Sequence, residues 1–167
     1  MSQSTTIYRI TPDAFEEATT SPEDFVPYKK CLDYEIFAST HEGLRYVLAR
    51  GQNGSTKALV NEIFYPSSQI GEIDFEKEDL DVDDFERIIT YLPPDRVSAV
   101  YSFIKDMDEA LFRKNFNPDE MNEQGVYPMV WGENAFAYES LFENFVRLQN
   151  IFKRGAAEGN YLLAYVG

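Results

Sequence analysis

At 167 residues the chain has the length of one domain, long enough to bury a core without covalent staples. Its 15 lysines and arginines stand against 29 aspartates and glutamates, a formal net charge of -14 that repels phosphate backbones and argues against nucleic-acid binding. The single Cys31 cannot form an internal disulfide, no apolar leader follows Met1-Ser2-Gln3-Ser4, and no apolar run approaches the roughly 18 residues of a membrane span, so a cytoplasmic setting is expected, with no membrane partner.

Residues 6–10 alternate weakly and stop at Thr11-Pro12-Asp13, where Thr11 can cap a helix that has Pro12 at its first position. That helix carries Phe15 and Ala18. Ser21-Pro22-Glu23 predicts a second start of the same kind, holding Phe25 and Val26 and closed by Pro27. Residues 32–37 are mixed and stay unassigned. A clearer helix follows, capped by Ser39 or Thr40 and ended by Gly51, with Leu44, Val47 and Leu48 inward and Tyr46 at the edge. Residues 52–57 read as a loop turning at Asn53-Gly54, and residues 58–64 as a short apolar helix that stops at Pro66.

Residues 72–86 hold nine carboxylates and one lysine, interleaved with Ile73, Phe75, Leu80, Val82 and Phe85, a pattern that suits an edge strand and turn or a solvated acidic loop. Residues 88–92 read as a strand. Pro93-Pro94-Asp95 opens a helix with a stripe of Val97, Val100, Tyr101, Ile104 and Met107 that resumes at Leu111 and Phe112. Asn117-Pro118-Asp119-Glu120 caps a single turn, Gly125 breaks it, and an aromatic, proline-containing linker leads on to Gly132.

The last third organises the rest. Tyr138, Leu141, Phe142, Phe145, Leu148, Phe152 and Ala156 recur at three- and four-residue steps and predict one long core-facing helix, capped by Asn134 and stopped by Gly159. The run Tyr161-Leu162-Leu163-Ala164-Tyr165-Val166 is too short for a helix and nearly all apolar, which predicts a strand buried on both faces in the middle of a sheet.

Chemistry-bearing patterns are few. Asp79, Asp81 and Asp83 have the spacing that opens a calcium loop, but Asp84 stands where glycine makes the turn and Thr90 where a bidentate glutamate is needed. One cysteine and one histidine do not make a zinc site. His41 is expected as an exposed residue of a first helical turn, with no nucleophile signature to serve as base for. No catalytic, metal or cofactor residue is therefore expected. Tyr127-Pro128 and Trp131 stand rigidly just before the long helix, either pinning the linker into the core or walling a small-molecule or partner pocket with Tyr46 and Asp33.

Several stretches together resemble the YfbM-like family, a bacterial domain of unknown function: Tyr8-Arg9-Ile10-Thr11-Pro12; Leu32-Asp33 with Gly43-Leu44-Arg45-Tyr46-Val47-Leu48; Leu111-Phe112-Arg113-Lys114-Asn115-Phe116 with Met121-Asn122 and Val126-Tyr127-Pro128; and the ending from Glu158-Gly159-Asn160 to Tyr165-Val166-Gly167. Where that family has Trp-His and then a second His, this chain has His41-Glu42 and then Arg45, so no histidine role carries over. The resemblance implies a compact α+β fold and no established activity.

The expected architecture is thus a single α+β domain spanning residues 1–167, with a small mixed sheet that includes the N- and C-terminal strands, packed by the long C-terminal helix and several shorter ones. The expected function is that of a non-catalytic binding or protein-interaction domain, with residues 72–86 able to neutralise a basic protein partner. The rivals are a small-molecule-binding domain or enzyme with a pocket near Tyr127 and Trp131, and a subunit-forming structural domain.

Overall fold

The computed structural model describes residues 2–83, 88–133 and 136–167. Strands β1 (Ser4–Ile10), β2 (Asp33–Ala38), β3 (Ser68–Ile70), β4 (Ile89–Leu92) and β5 (Tyr161–Val166) form one sheet in the spatial order β2-β1-β5-β4-β3. Around it lie α1 (Pro12–Thr20), a 3-10 turn (Pro22–Asp24), α2 (Pro27–Lys30), α3 (His41–Ala49), α4 (Gly54–Phe64), α5 (Pro94–Ile104), α6 (Glu109–Asn115), α7 (Pro118–Glu123) and α8 (Phe136–Glu158).

The N- and C-terminal strands are neighbours at the centre of the sheet, paired from Thr5↔Val166 to Ile10↔Tyr161. Every pairing is antiparallel, where a mixed sheet is the expectation. For β1 and β2 the reason is local: α1 and α2 return the chain to the end of β1 it left, where the Leu32 amide donates to the Arg9 carbonyl at 2.8 Å, so β2 runs back alongside.

Strand alternation sorts side chains onto two faces. Ile7, Phe37, Leu92 and Leu162 join the larger core, which α3, α4, α5 and α8 cover, while Ile10, Ile89 and Leu163 join Ala14 and Ala18 of α1 in a smaller core on the other side. Leu162 and Leu163 are adjacent in sequence and buried in different cores, so β5 is covered on both faces as its composition predicts.

Leu141, Phe145, Leu148 and Phe152 of α8 are buried as the stripe requires, and Ile151 joins them. Gly155 lets α8 close on α5 and β5: a Cβ there would lie 3.1 Å from Val97 Cγ1 and 3.5 Å from Leu162 Cδ2. The helix stops at Gly159, whose φ is +66°, and the Asn160 amide returns to the Gly155 carbonyl at 2.9 Å. Asn134, the expected cap, lies outside the described residues, as do Asp84, Phe85 and Glu86 of the acidic stretch. The exposed edge of β2 is blunted by α8, because Arg147 donates to Glu35 at 2.8 Å and to the Ile36 carbonyl at 2.6 Å.

Short-range cap signals are met where they are strongest. Thr11 accepts from the Ala14 amide with Pro12 at the first helical position, and Asn117 accepts from the Glu120 amide ahead of Pro118–Glu123. Elsewhere tertiary packing prevails. Pro27 opens α2 rather than closing the preceding turn, the fixed φ of proline suiting a first helical position as well as a stop. The helix placed over residues 58–64 begins at Gly54, its first turn being polar and exposed. Leu111 is exposed, since the stripe passes to Phe112 when α6 starts afresh at an Asp108 cap.

Candidate functional site

Four residues are candidates from sequence, and Asp33 is set apart from the others. Arg9 and Asp33 are register partners across β1 and β2, and Arg9 points to the helix-covered face, where it is buried. A buried guanidinium must be paired on every side. Its Nε and Nη2 donate to the two Asp33 oxygens at 2.9 and 2.8 Å, and Nη1 donates to Asn160 Oδ1 at 2.8 Å and to Glu158. Arg154 Nε lies 3.0 Å from Asp33. The hydrogen bond from Arg9, reinforced by its charge and that of Arg154, holds the Asp33 carboxyl below its ordinary pKa, and the same bond raises Arg9. Asp33 therefore fastens β2, β1 and the end of α8 together.

The two aromatics of the linker diverge. Trp131 turns inward: its indole N–H donates to the Val126 carbonyl at 2.8 Å, its amide to Asn122 Oδ1 at 3.1 Å, and its ring lies so close to Gly43 that a Cβ there would sit 2.4 Å from Cη2. Tyr127, joined to Pro128 by a cis peptide bond, is half-buried, and its hydroxyl accepts from the Gln3 amide at 3.2 Å, at the end of β1 opposite the Arg9 cluster. Tyr46, on α3, lines a concavity of about 420 Å³ whose wall includes Val126, so Tyr46 and Trp131 flank the same linker residue. Of the four, these two share a neighbourhood.

His41, expected at the surface, is fully buried. The first turn of α3 is packed under α4, with the imidazole edge-on to Phe64 at 5.9 Å and tilted against Tyr65 at 6.4 Å. Neither ring nitrogen makes a hydrogen bond of ordinary geometry among the described residues. Burial depresses its pKa, only partly opposed by the Glu42 carboxylate and the Phe37 backbone. A depressed pKa means that the unfolded chain takes up a proton more readily, so the stability tied to neutral His41 is full above its unfolded value of about 6.5 and is lost as pH falls below it. We expect urea midpoints to fall between pH 7.5 and pH 5.5 for the native chain and to stay flat for His41→Leu; an equal decline in both would remove His41 as the cause.

The acidic stretch carries the other candidate surface. Its described part is irregular over residues 72–81 and helical at Val82 and Asp83, and seven carboxylates project from it. Phe75 and Val82 are 75% and 71% exposed in its midst, with Leu80 also exposed. Val82 reaches back to a second concavity, of about 800 Å³, walled by Thr6, Tyr65, Pro66, Ile88 and Tyr165, and among the described residues no lining side chain is charged. Tyr65 donates to Glu42 at 2.5 Å, and burial with that bond pushes its phenol up to about 12; burial likewise raises Tyr165. Both phenols stay neutral at physiological pH. The sequence shows the apolar residues of this stretch but not the wall beside them: Tyr65 stands just upstream, at the end of α4, while Tyr165 comes from β5, more than 80 residues further along the chain.

Comparison with known proteins bears on family and fold alone. No curated protein matches the chain. The crystal structure of a protein of unknown function, YfbM from Escherichia coli, superposes over 100% of both chains with a TM-score of 0.67 at 12% sequence identity, which shows a shared fold. A family model described as a domain of unknown function, DUF1877, matches residues 1–165. The motifs scattered from Tyr8 to Gly167 thus reflect one ancestry along the whole sequence: the chain belongs to the DUF1877, or YfbM-like, family.

Proposed function

We propose that this protein is a non-catalytic binding domain that takes a basic protein segment on residues 72–83 and in the concavity at their base. The observation that supports the reading is the exposure of Phe75 and Val82 among seven carboxylates. Apolar side chains of this kind, left in water on one segment, mark a surface that another molecule covers. Lysine and arginine suit it, because their aliphatic stems lie along apolar surface while their charged heads reach the carboxylates. The net charge of -14 steers such a partner in and rejects acidic competitors. The proposed setting is the bacterial cytoplasm; among the described residues no helix is long and apolar enough to cross a membrane.

A fluorescein-labelled peptide of alternating arginine and leucine provides the test by anisotropy. Binding is expected at low salt and should weaken as salt rises. Replacing Glu78, Asp79 and Asp83 by lysine should abolish it. Replacing Asp13, Glu16 and Glu17 of α1 by lysine, an equal change of net charge elsewhere, should leave it in place. Equal losses in the two triple variants would show attraction to the whole molecule rather than to this segment, and the reading would fail.

A further inference from the structure

We infer that the concavity beside Tyr46 is a binding site for a small molecule bearing an oxyanion, a carboxylate or a phosphate, with Lys57 as its principal contact. This goes beyond the basic-partner surface and concerns a different part of the molecule. The wall is formed by α3, the turn after it, Lys57 and Asn61 of α4, and Glu120, Gln124 and Val126 in and just after α7.

Local charge is the first sign. In a chain with nearly twice as many acidic as basic residues, this concavity gathers Arg45, Arg50 and Lys57 against Glu42 and Glu120. A hydrogen-bond census supplies the second. Arg45 Nη1 donates to both Glu42 oxygens at 3.1 and 2.8 Å, and Nη2 to Asn61 at 3.1 Å. Arg50 donates to the Asn115 carbonyl at 3.1 Å and to Glu120 Oε2 at 3.4 Å, while Gln124 donates to Glu120 Oε1 at 3.0 Å. Every carboxylate oxygen in the wall therefore has a donor. The donors do not all have acceptors: the exposed Lys57 ammonium makes no ion pair or hydrogen bond among the described residues, whereas Arg45 Nε and the Tyr46 hydroxyl are closed off from water and hence from a ligand. Burial raises the Tyr46 phenol, and its interaction with the Glu120 carboxylate raises it further, so Tyr46 belongs to the wall and leaves Lys57 as the free donor among the described residues. A site whose acceptors are satisfied and which keeps a free ammonium is complementary to a ligand made of acceptors. Ala49 and Val126 add apolar surface for the organic body that carries the anion.

Trp131 reports on the site without touching it. It is the single tryptophan, and its indole N–H is tied to the carbonyl of Val126, which lines the wall. Inorganic phosphate and succinate, titrated separately into the intact protein at constant ionic strength, should each be followed by Trp131 fluorescence and by calorimetry. Saturable binding is expected for at least one of them, phosphate alone indicating phosphoryl ligands and succinate alone indicating carboxylates. Lys57 is exposed and unpaired among the described residues, so Lys57→Glu should keep the native melting curve while weakening binding by about tenfold or more, a change of about 1.4 kcal/mol or more. Absence of saturable binding by either anion, or a folded Lys57→Glu protein with unchanged affinity, would overturn the inference.

Discussion

Phe145→Asp should leave no folded protein. Phe145 is fully buried where α8 crosses the middle of the larger core, stacked on Phe112 at 4.8 Å and beside Phe142 at 6.2 Å. Truncation to alanine there is expected to cost about 3–5 kcal/mol, combining lost burial with a cavity that the surrounding rings only partly fill. An aspartate adds an uncompensated carboxylate in an apolar site. Against a typical net stability of about 5–15 kcal/mol, the alanine variant should melt well below the native protein and the aspartate variant should show no cooperative transition. Circular dichroism during heating reads both. A soluble Phe145→Asp protein with the native melting curve would show that α8 is an appendage.

The next loss falls on the Arg9 cluster. Asp33→Ala removes the bidentate partner of a guanidinium that is only 8% exposed and leaves it with Asn160 and the largely exposed Glu158. Breaking one side of a buried pair is expected to cost about 3–5 kcal/mol, because the remaining charge stays desolvated. Glu158→Ala should cost about 1 kcal/mol or less, its carboxylate sharing its field with water. The pH dependence adds a signature. Since Arg9 holds Asp33 below its unfolded value, the stability it contributes is present above about pH 4 and is lost as the pH falls through the lower, folded value. Urea unfolding of the native chain should therefore decline across this acid range, well below the window assigned to His41, and Asp33→Ala should lose part of that decline. A variant as stable as the native chain at pH 7 would mean that the cluster is ornamental.

How far such features can be read in advance depends on whether the deciding interaction is local. The α8 stripe, the Thr11 and Asn117 caps, the glycine stops at Gly51, Gly125 and Gly159 and the apolar β5 run were legible because neighbouring residues determine them. β2 was not: its burial alternates, but Tyr34 and Ile36 face water while Asp33 and Glu35 take the inward positions, so hydropathy runs against burial until Phe37. β3 spans three residues, too few to show any period. His41 follows a helix-start signal and looks solvated until α4 folds over it.

The site is harder still. Asp33 was singled out without Arg9, although an arginine in step with Thr5 and Ile7 on an alternating strand is the signal that a buried cation needs a partner. Tyr127 and Trp131 are four residues apart yet point to different places, because the positive φ of 63° at Met129 turns the chain between them. Tyr46 kept its place at the helix edge, but the cations beside it come from two helices and the turn joining them.

Hydrogen exchange followed by mass spectrometry, on the protein alone and with the arginine–leucine peptide, interrogates the scaffold and the binding surface together. Amides of 141–152 and 162–164 should exchange slowest in both samples, and added protection should fall on 72–83 and on the 164–166 wall of the adjoining concavity. Peptide-dependent protection elsewhere, with 72–83 unchanged, would contradict the assignment of that segment as the partner's landing surface.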